Sequence, residues 1–514
     1  MGVAIAAAMA LPLVYLGMRA SEIGDRLPAL LTSPRTIGVF ANSTILALVV
    51  TVISALIAVV AAFLTVRTDL PGRRIWSVLL ILPLSIPSFV GSFAMIAMFA
   101  PRGSALQNLL APFGVETLPS IYGWPGAIIT LTLFSYPYIL LTVRSSLRGI
   151  DPALEEAART LGCSLRMSLF RVTLPHLFPA IAAGSLLVAF YVLSDFGTPS
   201  LMRFDSFTRI IYVEYQLAFD RSSAAVMSLL LVSLVGVILY FENRFRGRAT
   251  YYSTGPGSRR QPQIIRLGRW KWAALVFCGA VVALGVIMPI GVMFYWFFQG
   301  IAAGHQFPSI GWITLNTVYV AAIATLVIVA LAMPLAILVV RFPGKLTTIA
   351  ERASYIGFAM PGIVIALSLA SFGANYVPAF YQTLGLLIFA YAVLFIPLSV
   401  GTIRSSLLQV SPRMEEAARS LGLGGGRVLL RVTMPMAKAG LLTGAALVML
   451  TVMKELPATL LLSPIGFKTL ATQVWSSTEA VIFSQAAVAA LILVGISTLS
   501  VIVILSQERA RMRE

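Results

Sequence analysis

The chain has 514 residues, 59% of them apolar and only 11% charged, with a mean hydropathy of +0.92. That composition excludes an ordinary soluble domain and makes the chain an integral membrane protein. The formal charge of +18 is read as basic loops between apolar spans and not as a nucleic-acid surface, because no basic stripe interleaved with aromatics is present.

A bilayer core of about 30 Å needs about 20 apolar residues per crossing helix. On that measure twelve spans are expected in an all-α polytopic membrane protein. The first six cover residues 2–18, 40–66, 75–100, 124–143, 177–200 and 222–241. The first is short and rich in Ala, but it lacks the basic n-region of a signal peptide and is read as a span.

Between the fourth and fifth spans lies the most polar part of the half, TVRSSLRGIDPALEEAARTLGCSLRMSLFRVTLP from Thr142 to Pro175. Its chemistry is that of a short exposed helix. Asp151 and Pro152 supply an N-cap and a first-turn proline, Glu155 and Glu156 follow where the helix dipole favours anions, and Gly162 falls where a C′ glycine ends the helix. Glu155 and Arg159 are spaced i to i+4, which suits a local ion pair. A second short helix is expected next, broken by Pro175 at the return to the membrane. Cys163, in this segment, and Cys278, in a later span, have no metal-ligand spacing and are read as packing residues.

The fifth span ends in YVLSDFGTPSLM, where Asp195 is followed by Pro199. Residues 243–271, with Ser253-Thr254-Gly255-Pro256-Gly257 and many Arg, read as a cytoplasmic tether without a fold of its own.

The second half repeats the first. Its spans are expected at 272–298, 314–340, 353–373, 384–400, 437–461 and 480–506, and TIRSSLLQVSPRMEEAARSLGLGGGRVLLRVTMP runs from Thr402 to Pro435. Aligned without a gap, roughly half of the two polar segments is identical, with Glu415, Glu416, Ala417, Arg419 and Gly422 opposite Glu155, Glu156, Ala157, Arg159 and Gly162. Asn316 falls opposite Asn42, Arg341 opposite Arg67, Pro361 opposite Pro87 and Glu455 opposite Asp195. The domains are therefore expected at 1–242, with the repeated segment at 144–175, and at 272–514, with its copy at 404–435. Six spans per half is an even number, so the halves share one orientation and are related by a pseudo-twofold axis along the membrane normal. Most of the 37 Lys and Arg lie in loops on one side, which makes that side cytoplasmic and puts both termini and both repeated segments there.

Helices that merely dissolve in lipid need only be apolar, so a charged helix kept twice points to a soluble partner met twice. The pattern Glu-Ala-Ala, three residues, Gly, nine residues, aliphatic, one residue, Leu-Pro resembles the cytoplasmic signature of permease subunits of ABC importers. It falls on Glu156, Ala157, Ala158, Gly162, Val172, Leu174 and Pro175, and again on Glu416, Ala417, Ala418, Gly422, Val432, Met434 and Pro435, where Met434 departs from the Leu of the pattern. The resemblance covers essentially the whole chain, in the form of the fused, twelve-span branch. It implies a bacterial inner-membrane subunit whose repeated segments are coupling helices for two copies of an ABC ATPase, with a substrate-binding protein on the outer face. ATP and Mg would belong to the ATPases, and this chain would carry no cofactor and no catalysis. Consistent with that, no G-x-x-x-x-G-K-[ST] occurs, and Gly344-Lys345-Leu346 reads as a turn. A twelve-span secondary transporter would share the topology without needing two matching loop helices, and a membrane enzyme would need a convergent catalytic set where His176 and His305 stand far apart.

The strings SDFGTP and KELPATLLLSPIGFKTLAT resemble the fused permeases of ferric-iron importers more than those for thiamine, polyamines, sulfate or phosphonate. Asp195 and Glu455 are the pathway candidates, because a charge in lipid is costly and usually faces a wet pathway. Their depth, near the outer edge of the core, equally suits acids that snorkel to the interface, and both readings stand at this stage. Lys454 adjoins Glu455 in sequence and so does not share its helical face. Whether any residue holds a metal is not legible.

Overall fold

The computed structural model describes residues 2–216, 220–246, 264–307, 309–342, 344–355, 357 and 360–511. Among these the secondary structure is helical throughout, apart from one isolated β-bridge between Thr68 and Ile265.

Among the described residues eight helices are long and apolar enough to cross a membrane: Gly2–Ser21, Pro34–Arg67, Trp124–Gly149, Leu169–Ser194, Arg221–Tyr240, Trp270–Ala302, Ile310–Arg341 and Leu384–Leu407. Two bent pairs, Arg73–Ser85 with Ser88–Phe99 and Gly425–Lys438 with Gly440–Met453, raise the number to ten. The other two expected spans are the shorter apolar helices Gly362–Tyr376 and Phe483–Leu499.

The departures from twelve uniform spans have local causes. The run expected at 75–100 turns by 95°. Ile86 and Pro87 are extended there, and Pro87 has no N–H with which to continue a helix. In the second half the helix likewise starts anew after Pro361, whose ψ is 143°, so the expected 353–373 span becomes Lys345–Ser354 and Gly362–Tyr376. The expected 177–200 and 437–461 spans end early, at Ser194 and Met453, and each is followed by a short helix, Gly197–Leu201 or Pro457–Leu462.

Packing divides the chain into two compact units. The first holds Pro34–Arg209, Ser233–His305 and Val481–Glu514; the second holds Met1–Ser33, Ile210–Val232 and Gln306–Ala480. The repeats are units of sequence, whereas the units of packing exchange their leading helices. Trp270–Ala302 belongs with the core of the first repeat, where the Trp296 indole donates to the Ala97 carbonyl at 3.1 Å. Gly2–Ser21 belongs with the core of the second, where the Ser368 hydroxyl donates to the Pro12 carbonyl at 2.8 Å.

Each unit is built on the same three helices: Pro34–Arg67, Trp124–Gly149 and Leu174–Ser194 in the first, and Ile310–Arg341, Leu384–Leu407 and Met434–Met453 in the second. Close approach between the last two of each triplet depends on glycine. A Cβ on Gly184 would lie 2.5 Å from Thr142 Oγ1 and 2.8 Å from Ile139 Cα, and one on Gly444 would lie 2.5 Å from Thr402 Oγ1. Small residues at such crossings let helix backbones pack directly, the main source of helix association in lipid.

Candidate functional site: two repeated loop helices and two capped helix breaks

Each repeated segment forms a nine-residue helix, Pro152–Thr160 or Pro412–Ser420, opened by a proline in its first turn. The Asp151 carboxylate caps the first, accepting from the Ala153 N–H at 2.9 Å. Ser411 occupies the equivalent position but makes no side-chain cap bond. Both helices end as the sequence suggests: Gly162 has φ of +87° and Gly422 has φ of +85°, in the left-handed region that glycine enters without a Cβ penalty.

The ion pair that fixes each leading glutamate is long-range. The Arg67 Nη2 donates to Glu155 Oε1, and the Thr173 hydroxyl donates to the same oxygen at 2.7 Å. In the second unit Arg341 donates to Glu415 Oε1 from Nη2 at 2.8 Å and from Nε at 3.2 Å, and the Thr433 hydroxyl donates to it at 3.0 Å. One carboxylate thus ties three segments: the end of a long membrane helix, the loop helix, and the start of the next membrane helix. Arg144 and Arg404, again equivalent, tie the helix before the loop to the preceding element, through the Ser77 carbonyl at 2.7 Å and Glu351 at 2.6 Å.

The return to the membrane differs from the expected break. Pro175 and Pro435 lie in the first turn of the membrane helices Leu174–Ser194 and Met434–Met453, reached through π-helical turns at Leu169–Thr173 and Leu429–Thr433. A wider turn absorbs the hydrogen bond that a proline ring removes, so the helix runs on. The same turn brings Thr173 or Thr433 to its glutamate.

With Glu155 and Glu415 turned inward, the outer surface of each loop carries exposed apolar side chains among its charged ones. Leu161 is 85% exposed and Leu421 84%. Leu154 and Met414, and Phe170 and Leu430, are exposed beside them. Ala157, Arg159, Ala417, Arg419 and Glu416 are exposed, and Glu156 is half-buried. The repeated exposed apolar residues were missed by motif reading, which weighs the charged positions. Their signal was present, since Leu161 and Leu421 adjoin the paired glycines at matching positions.

Asp195 and Glu455 stand at the helix breaks as caps. Asp195 Oδ2 accepts from the Thr198 N–H at 2.9 Å, and Oδ1 accepts from the Ser88 hydroxyl. Glu455 Oε1 accepts from the Ala458 N–H and Oε2 from the Thr459 N–H, each at 3.1 Å. A carboxylate at a helix start satisfies backbone donors that have no intrahelical partner. The two caps are size-matched. Where the first repeat has Ser88 and the shorter Asp195, the second has Gly362 and the longer Glu455, and a Cβ on Gly362 would lie 3.2 Å from Glu455 Oε1. Among the described residues no group of three or more His, Cys, Asp or Glu is placed to hold a metal ion.

The model of the family described as binding-protein-dependent transport system inner membrane component matches this chain twice, over residues 54–247 and 329–511. The chain belongs to that family. It is a multi-pass inner-membrane permease with the family domain present in both repeats, and each matched region carries one loop helix and one capped break. The chain is 33% identical over 491 residues to the Fe(3+)-transport system permease protein FbpB 2 of Haemophilus influenzae, covering 95% of this chain and 93% of that one. It is 25% identical over 430 residues to the ferric transport system permease protein FbpB of Actinobacillus pleuropneumoniae, covering 79% and 61%. The sulfate transport system permease protein CysT of Salmonella typhimurium is 26% identical over 245 residues, which is 46% of this chain and 87% of that one.

Proposed function

We propose that this chain is the transmembrane permease of an ATP-driven importer of ferric iron, and that its two loop helices are the docking points for two copies of one ATPase subunit. The observation that carries the docking is the repetition of a whole surface. An inward glutamate salt-bridged to the end of a membrane helix, a left-handed glycine and an exposed leucine recur in both repeats. Exposed leucine beside a salt-bridged glutamate suits a hydrophobic pocket on a soluble partner, since exposed apolar surface rimmed by polar residues marks an interaction site. In this reading both loop helices and both termini face the cytoplasm, the ATPases bind ATP and Mg, and a binding protein delivers substrate at the outer face. The permease catalyses no reaction itself.

Ferric iron is favoured over sulfate because likeness to the Haemophilus ferric permease runs through nearly both whole chains, whereas likeness to the sulfate permease is confined to about half of this one. Asp195 and Glu455 serve the pathway in this reading by holding the helix breaks. Broken helices are tolerated within a membrane where they are buried in protein or line a wet cavity. Their carboxylates are engaged by backbone N–H groups, which favours positioning over direct binding of the cation.

The test is uptake by proteoliposomes holding the permease with its ATPases and binding protein. The proposal expects ATP-dependent accumulation of labelled ferric iron and none of labelled sulfate, thiamine, polyamine or phosphonate. Accumulation of one of those instead would refute the iron assignment. Uptake driven by an ion gradient without ATP would refute the importer class.

A further inference from the structure

The linker between the repeats reads in sequence as an unstructured tether, and its residues 247–263 lie outside the described residues. Its final residues are structured. The Ile265 N–H donates to the Arg67 carbonyl at 2.8 Å, and the Asp69 N–H donates to the Ile265 carbonyl at 3.1 Å. The Leu267 N–H then donates to Asp69 Oδ1 at 2.8 Å. Two backbone hydrogen bonds make a single parallel bridge along the segment that leaves the membrane helix Pro34–Arg67, and the Asp69 side chain adds a third bond. Gly268, with φ of +55°, turns the chain after it, and the next helix begins at Trp270.

This bridged segment lies on the residue that anchors the first loop helix. Arg67 bonds Ile265 through its backbone and Glu155 through its side chain. Its side chain is 1% exposed, and neither Nε nor Nη1 has a hydrogen-bond partner, so Glu155 is its one described counter-charge. The equivalent Arg341 is 15% exposed and divides its donors between Glu415 and the Val410 carbonyl. Among the described residues no strand pairs with the chain beyond Arg341, since the bridge of Thr68 with Ile265 is the single one.

We infer that residues 264–267 of the linker are a positioning strand for the first loop helix, which makes the two docking helices mechanically unequal. The first is clamped through Arg67 to the leading helix of the second repeat, Trp270–Ala302, which begins five residues after Ile265. The second is held by Arg341 and Thr433 without a strand on its arginine, and is the more compliant. A permease with two near-copies of one docking helix thereby gains an order of response: the compliant helix follows its ATPase first, and the clamped helix transmits motion into the helix that begins the other repeat. This deepens the docking proposal and rests on it for its functional meaning.

The test is hydrogen exchange by mass spectrometry on the full permease, alone and bound to its ATPase subunits, with rates corrected for intrinsic sequence effects. In the permease alone, amides of 152–160 are expected to exchange about tenfold more slowly than those of 412–420, because exchange tracks the free energy of local opening. Ile265→Pro removes the N–H donated to Arg67, and about tenfold faster exchange is expected at 152–160 with no change at 412–420. Asp69→Ala, which removes only the Leu267 bond, is expected to move 152–160 in the same direction by less, and it serves where the proline variant fails to insert. Equal exchange of the two helices in the unaltered permease, or no response of 152–160 to either variant, would overturn the clamp. Failure of ATPase to protect either helix would instead count against docking and leave the clamp as measured.

Discussion

Glu155 and Glu415 occupy the same position in two near-identical helices, yet one is paired with a guanidinium shut away from solvent and the other with one that is partly open. The comparison teaches that duplication preserved the contact and allowed its surroundings to diverge. The capped breaks teach the same lesson by compensation: the first repeat has the Ser88 hydroxymethyl group beside the shorter Asp195, and the second has Gly362 beside Glu455 with its extra methylene.

The largest effect expected from breaking this comparison is at the anchors. Replacing Glu155 by Gln leaves Arg67 buried without a counter-charge, a loss of about 3 to 5 kcal/mol for a buried pair. Glu415→Gln should be milder, because Arg341 keeps the Val410 carbonyl and some access to water. Thermal unfolding of the two purified variants checks this, and equal losses would contradict the difference in burial.

Next comes the cap exchange. Asp195→Glu alone should overpack the first break by about 1 to 3 kcal/mol. Adding Ser88→Gly should recover most of that loss, since it imports the second repeat's arrangement. A double-mutant cycle with no coupling between the two positions would show that the matching of sizes is accidental.

A smaller effect is expected at the glycines. A Cβ on Gly162 or Gly422 meets open space, so Gly162→Ala carries only the left-handed backbone penalty of about 1 to 2 kcal/mol. Uptake per ATP hydrolysed should fall while membrane insertion is retained. Asn, which tolerates this backbone region, should retain more coupling than Ala. Smallest of all for stability is Leu161→Ala, expected within about 0.5 kcal/mol because the side chain is exposed. Retention of ATPase on an affinity column should nevertheless weaken.

Much of this arrangement is legible in the sequence. The loop helices, their proline starts and their left-handed glycines follow from local chemistry, and local chemistry is written in consecutive residues. Pairing of Arg67 with Glu155 spans 88 positions. Its one trace in sequence was the recurrence of an arginine at Arg67 and Arg341, which aligned the repeats without naming a partner. Hydropathy marked the apolar runs at 75–100 and 353–373 but not the breaks inside them. A proline interrupts backbone hydrogen bonding without making the run less oily, so the recurrence of Pro87 and Pro361 was the better signal. The grouping of Gly2–Ser21 with the core of the second repeat had no local signature, because one apolar helix face fits many neighbours.

The central claim is that one chain presents two docking helices for the same ATPase. Native mass spectrometry of the assembled transporter tests it most directly, with Leu161→Cys and Leu421→Cys variants cross-linked in parallel to show which helix each ATPase occupies. The account predicts two ATPase subunits per permease chain, with one cross-link from each position. A single ATPase per chain, or cross-links from only one of the two positions in the fully loaded complex, would contradict it.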